Sequence, residues 1–357
     1  MNINSRSFDN TKELDEQRKL FVDCFPECTG MPITTKEYYY WKFHSYPTLG
    51  RKSYEYVAVT DDNEMVGYYA CVPYNYQINN KEYTVGMVCD VMTSSKYRGV
   101  GIFTKLGRFS TNEFAKEGLA FSTGYPIRKA PLPGHMKVGW KVAFDMPLYI
   151  RFFSLSSFLK ERGYGWVRYI ANPFVYIYNA LCIKPTKKGV EIRQYHQIED
   201  VVGYTEFEEE WRRGIKNALI KSVPFMKWRL SAPQKQYEYV CAYKNNKLVG
   251  LTIATPIVKE GVPSYGLVDF MILPEHKDCL NSIHNRLKKM AKENHKEAIM
   301  TMMSQPSAKK YRMFSNAYLK SPFTFHYIIK KYDKSISDET LYDINNWELR
   351  FIDSDDL

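Results

Sequence analysis

The sequence predicts a mixed α/β chain made of two tandem, related lobes, and three observations carry that reading. A chain of 357 residues is too long for one ordinary hydrophobic core. Its composition, 45% hydrophobic and 25% charged, is that of a folded protein with enough apolar side chains for two cores. The chain also repeats itself. Tyr54 to Pro73 reads YEYVAVTDDNEMVGYYACVP, and Tyr237 to Pro256 reads YEYVCAYKNNKLVGLTIATP. The two align without a gap: Tyr-Glu-Tyr-Val opens both, Asn63 answers Asn246, Val66-Gly67 answers Val249-Gly250, and Pro73 answers Pro256.

Each stretch is an apolar strand, a polar turn and a second strand, the pattern of a β-hairpin. A tryptophan-bearing segment precedes both, Tyr40-Trp41-Lys42-Phe43 in the first copy and Lys227-Trp228-Arg229-Leu230 in the second. In the Tyr38-Tyr39-Tyr40-Trp41 run, helical spacing turns two rings toward the core, and the others could line an acceptor cleft. A third strand follows each hairpin, Val88-Cys89-Asp90-Val91-Met92 echoed by Leu267-Val268-Asp269-Phe270-Met271. A helix comes next, near Val100 to Glu117 and Cys279 to Asn294; Ile102, Leu106, Phe109 and Phe114 mark the buried stripe of the first. Ser122 to Lys141 then reads as a strand, a loop and a short helix carrying His135. The lobes meet between Ile150 and Gly189, where proline and aromatic residues break the pattern. Within that region Tyr169 to Ile183 is the longest apolar stretch. It is shorter than a membrane span, is interrupted by Asn172, Pro173 and Asn179, and reads as a buried segment rather than an anchor.

Composition narrows the partners. Met1 to Asn10 is polar and lacks the apolar core of a signal peptide, so a cytoplasmic protein without a membrane partner is expected. The seven cysteines are odd in number and scattered among apolar neighbours, as reduced core thiols are. Cys24 and Cys28 lie four apart, but no second Cys or His pair stands at zinc spacing, so no metal is expected. The net charge of +11 favours an anionic ligand. Because the Lys and Arg are dispersed and no nucleic-acid-binding signature is present, a phosphorylated cofactor or an acidic saccharide fits better than nucleic acid.

The two copies differ where the third strand meets the helix. Copy one reads Ser94-Ser95-Lys96-Tyr97-Arg98-Gly99-Val100-Gly101-Ile102-Phe103-Thr104, and copy two reads Leu273-Pro274-Glu275-His276-Lys277-Asp278-Cys279-Leu280. Two glycines at a strand-to-helix junction let backbone N–H groups approach an anion closely, and the helix N-terminus adds its partial positive charge. Arg98, Lys96 and Lys105 add formal charge. Copy two lacks both glycines and carries Asp278, which would repel an anion. The order differs from a Walker loop and from a dinucleotide-binding Gly-x-Gly-x-x-Gly.

At these residues the sequence resembles the GNAT acyltransferase superfamily, whose Arg/Gln-x-x-Gly-x-Gly/Ala turn holds the pyrophosphate of coenzyme A. Arg98 to Phe103 matches that pattern except at the end, where Phe103 replaces the small residue. Asp90-Val91-Met92-Thr93 through Tyr97-Arg98-Gly99 is similar to the Eis-like branch. The resemblance covers about Lys81 to Lys141 and implies GNAT-like lobes, each a central, mostly antiparallel sheet flanked by helices. It implies a catalytic, acyl-CoA-binding domain over 1–153, an aromatic-rich connection over 154–188, and a degenerate lobe over 189–357. It further implies that Val91, Met92 and Thr93 pair with the pantetheine of acetyl-CoA, and that Arg98, Gly99, Val100, Gly101, Ile102, Phe103 and Thr104 hold the pyrophosphate. Asp90 is implied as catalytic base. His135 stands where members carry an acidic Tyr, four residues before a Gly-Trp pair that here is Gly139-Trp140. Tyr125 and Arg128 are candidates to face the acceptor, and Ser122 or Thr123 to bond the pantetheine. The expected reaction is transfer of an acyl group to a primary amine of a small molecule, with an amino sugar as one guess. A FemABX-like aminoacyl-tRNA-dependent transferase and a non-catalytic CoA-binding module are the alternatives; the oligomeric state is left open.

Overall fold

The computed structural model describes residues 2–126, 132–182, 184–186 and 188–355. Its first elements are β1 (Ile3–Ser7), α1 (Leu14–Cys24), α2 (Lys36–His44), β2 (Tyr54–Thr60), β3 (Met65–Ile78) and β4 (Lys81–Thr93). There follow α3 (Ile102–Lys116), β5 (Phe121–Gly124), α4 (Leu132–Val138), β6 (Lys141–Phe152), α5 (Ser156–Glu161) and α6 (Arg168–Leu181). Next come β7 (Glu191–Tyr195), α7 (Tyr204–Arg213), β8 (Asn217–Leu219), α8 (Val223–Arg229), β9 (Glu238–Lys244), β10 (Lys247–Lys259) and β11 (Val262–Ile272). The chain ends with α9 (Leu280–Glu293), β12 (Ala298–Met302), α10 (Gln305–Lys310), β13 (Leu319–Lys331) and α11 (Asp338–Tyr342).

These elements form two compact units. The first is Met1–Phe144 with Ser231–Gln234 and His326–Asp343; the second is Asp145–Leu230 with Lys235–Phe325 and Ile344–Leu357. In the first unit the strand order is β1-β2-β3-β4-β5-β13, antiparallel except between β4 and β5. In the second it is β7-β9-β10-β11-β12-β6, antiparallel except between β11 and β12. Ile328–Lys331 of β13 closes the first sheet on β5, and Leu148–Phe152 of β6 closes the second on β12. Each unit therefore contains stretches from distant parts of the chain.

The residues shared by the two hairpins have physical reasons. Asn63 and Asn246 sit in left-handed conformation (φ +64° and +61°) at the turns, where asparagine is tolerated better than other side chains. A Cβ on Gly67 would lie 3.2 Å from both Ile102 and Leu106 of α3; one on Gly250 would lie 3.0 Å from Ile283 of α9. In each unit the Val-Gly pair lets a helix lie close on the hairpin. In the first unit Tyr56, Val66, Tyr69, Phe114 and Trp140 join in one buried cluster.

Two expectations need correction. Helix α2 buries three rings of its aromatic run, Tyr38, Tyr39 and Trp41, leaving only Tyr40 exposed. Tyr38 packs on Trp41, and Tyr39 on Phe43, so the helix is covered on two flanks. The apolar stretch read as buried is α6, and its apolar side chains face outward, Tyr169 and Phe174 among them. Asparagines, not apolar residues, hold it to the unit. Among the described residues no helix is long and apolar enough to cross a membrane.

Candidate functional site

The site begins where β4 loses a neighbour. It pairs with β5 only at Gly86↔Ser122 and Met87↔Thr123, and the two strands then part. On its other side the register with β3 slips between Ala70↔Cys89 and Tyr68↔Met92, setting Asp90 and Val91 opposite Tyr69 in a β-bulge. Asp90 is left-handed there, with φ +49°.

Beyond the bulge lies a cavity of about 550 Å³. Val91, Met92, Thr93, Arg98, Gly99, Gly101, Ile102, Phe103 and Thr104 line it, so the sequence-predicted donor residues come together, with Val100 alone outside the wall. Cys24, Phe25, Tyr97, Gly134 and Lys137 complete the lining. Cys24 and Phe25 were missed because α1 carries no motif; only the packing of α1 against β3 and β4 brings them there.

The electrostatics favour an anion. Gly99 and Gly101 have φ of +85° and +82°, and a Cβ built on either meets nothing within 4 Å. Backbone conformation demands glycine at both, and the space in front of them is open. Gly101 caps α3 without any side-chain acceptor, so the first N–H groups of this 15-residue helix have no capping partner from that residue. Those donors, the helix dipole, Arg98 and Lys137 make a cradle suited to a pyrophosphate. In the second unit the corresponding segment is a 3-10 helix, Pro274–Cys279, in which Asp278 pairs with Lys244 at 3.3 Å. Phe103, where the resembled motif has a small residue, packs edge-on against His135 with ring centroids 5.0 Å apart. Gly134 makes room for it, since a Cβ there would lie 2.7 Å from the Phe103 ring.

The catalytic candidates fare differently. His135 is buried among Phe103, Tyr69 and Trp140. Burial pushes its pKa down to about 4, and Nδ1 has no hydrogen-bond partner among the described residues. Gly134, just before it, and Lys137, two residues after it, line the cavity instead. The His135 ring thus sits in an apolar cage behind the cavity and is not among the residues that line it. Asp90 is held by Lys42 at 2.8 Å and Arg18 at 3.8 Å, with its side chain 7% exposed. Its echo Asp269 is fully buried and pairs with Lys221 at 2.8 Å. Lys42 lies within α2 whereas Lys221 precedes α8, so each carboxylate meets a cation from a different place in its unit.

Tyr125 is buried with its ring 5.1 Å from that of Tyr327, and Ser122 bonds the Tyr332 hydroxyl at 2.9 Å. Thr123 is buried too, and none of the three lines the cavity. Arg128 lies outside the described residues.

Residues 9–143 match the family model of the acetyltransferase (GNAT) domain. No curated protein matches the chain. Among solved structures the chain is similar to a conserved protein of unknown function from Enterococcus faecalis V583, described as a probable N-acyltransferase. That likeness has a TM-score of 0.63 at 12% identity, over 93% of this chain and 73% of the other. A GCN5-related N-acetyltransferase from Anabaena variabilis ATCC 29413 gives 0.64 at 12% identity, again over 93% and 73%. N-myristoyltransferase from Saccharomyces cerevisiae, with bound myristoyl-CoA, gives 0.60 at 11% identity over 92% and 79%. At such identities the likeness is one of fold. It extends well past residues 9–143, and the mixed α/β architecture is that of GNAT N-acyltransferases.

Proposed function

We propose that the protein is an acyl-CoA-dependent N-acyltransferase whose donor site is the cavity of the first unit. The observation that carries this reading is the N-terminus of α3, without a side-chain cap, behind two left-handed glycines, opening on the end of β4 that β5 no longer pairs. The pyrophosphate would lie against Gly99 to Thr104 with Arg98 beside it, and the pantetheine along Val91 to Thr93. The match of residues 9–143 to a GNAT domain supports the same assignment. We read acetyl-CoA as the donor and a primary amine of a small molecule, an amino sugar for instance, as the acceptor.

In the reaction the neutral amine attacks the thioester carbonyl, the N–C bond forms, the C–S bond breaks, and the amine's proton ends on the departing sulfur. The strand end of Val91 to Thr93 orients the thioester, and the α3 N-terminus holds the donor's charge. Asp90, fixed by Lys42 and Arg18, serves in this reading to set the bulge rather than to take the proton. The two units are read as copies of one lobe, of which only the first binds the donor. The shared order and direction of their strands and the shared packing role of Gly67 and Gly250 support that.

Calorimetric titration with CoA, acetyl-CoA and a long-chain acyl-CoA tests the donor. One saturable site that prefers acetyl-CoA is the expected result. Absence of binding by all three would overturn the reading, and preference for the long chain would overturn the choice of acetyl group.

A further inference from the structure

A helix on a protein surface normally buries its apolar stripe and shows water its polar one. Helix α6 is built the other way round. Its inward face is polar: Asn172 accepts from the Leu155 N–H at 2.8 Å and donates to the Ser156 hydroxyl at 3.0 Å. Two turns further along, Asn179 accepts from the Arg151 guanidinium at 2.9 Å and donates to the Phe152 carbonyl at 2.7 Å. Asn179 is the only buried residue of the helix. Its outward face carries Tyr169, Ile170, Phe174, Tyr176, Ile177 and Leu181, each more than half exposed. Trp166, in the turn before the helix, is 67% exposed. The asparagine bonds prevent the helix from rolling these side chains inward, and leaving so large an apolar face in water is costly.

We propose that α6 is a membrane-surface helix that docks the second unit on a bilayer containing anionic phospholipid. Charge and composition choose this occupant. No charged residue occurs from Tyr169 to Ile183, while Lys160, Arg162 and Arg168 precede that stretch and Lys184 and Lys188 follow it. On the neighbouring α9 the Lys292 ammonium lies 5.8 Å from the Tyr176 ring, and the amide of Asn285 bonds the Lys184 carbonyl at 3.1 Å. An apolar face of aromatic and aliphatic side chains rimmed by basic residues is the chemistry of the headgroup boundary, where Trp and Tyr favour the interface and Lys and Arg meet lipid phosphates. With 14 residues the helix is shorter than the roughly 20 needed to span, so it lies in the plane of the surface.

Sedimentation of the full chain with phosphatidylcholine vesicles, with and without phosphatidylglycerol, tests this. Phe174→Glu and Ile177→Glu serve as variants, since both side chains point away from the unit. The wild type is expected to sediment with the anionic vesicles, less so in high salt. Each variant is expected to weaken binding roughly tenfold or more while keeping its circular dichroism and melting temperature. Failure of the wild type to bind, or binding that the variants do not weaken, overturns the proposal. So does a wild-type dimer, seen by analytical ultracentrifugation without lipid, that the same variants dissociate, because α6 would then be a contact between copies of this chain.

Discussion

Replacing Gly101 with glutamate separates the donor-site reading from a merely structural role for the glycine turn. At φ +82° any side chain occupies left-handed space, which costs about 1 kcal/mol. No atom lies within 4 Å of the new Cβ, so no clash adds to that. Gly101→Ala carries the same backbone cost, and both variants should melt about 2 °C below the wild type. The carboxylate of Gly101→Glu adds repulsion. At a separation of about 6 Å and an effective dielectric of about 40, each negative charge on the ligand contributes about 1.4 kcal/mol. A pyrophosphate with two such charges then loses about 3 kcal/mol, a weakening on the order of a hundredfold. Calorimetric titration with CoA measures it, with Gly101→Ala as the reference for strain. Should the glutamate variant bind CoA within about threefold of the alanine variant, the pyrophosphate does not sit at the N-terminus of α3.

Two further outcomes follow from the buried charges. Lys221→Ala strips the fully buried Asp269 of the ammonium 2.8 Å away, and urea unfolding should register a loss of about 3–5 kcal/mol; a loss under about 1 kcal/mol would mean that water reaches the carboxylate. His135 has its folded pKa lowered to about 4 from 6.5 by burial, so the unfolded chain binds its proton more readily. Its contribution is therefore fully present above pH 6.5 and falls as the pH drops from there toward 4, by about 3 kcal/mol in all. His135→Phe should flatten that part of the stability-versus-pH curve without loss of turnover; a collapse of turnover in a folded, CoA-binding variant would restore the histidine to the chemistry.

Much of the candidate site's geometry was legible because it is local. A strand, two glycines and a helix within fifteen or so residues of chain dictate their own geometry, and an open anion cradle follows from backbone conformation at Gly99 and Gly101. The catalytic candidates were less legible because proton transfer depends on neighbours that the chain brings from afar. Nothing around His135 in the sequence announces that Phe103 and Tyr69 close over it, or that Lys42 and Arg18 converge on Asp90.

The sequence by itself determined the repeated hairpins, the glycine turn present in one copy and absent from the other, and hence the unit whose strand-to-helix junction is open. Those features rest on short-range backbone rules, in which left-handed asparagines and glycines have few alternatives. Only the tertiary structure decided which carboxylates are neutralised, which way α6 faces, and which strands close each sheet. Periodicity marks a helix as two-faced, but which face turns inward depends on partners distant in sequence. For α6 those partners are the Arg151 guanidinium and exposed backbone groups of residues 152–155, which the two asparagines satisfy and an apolar side chain could not.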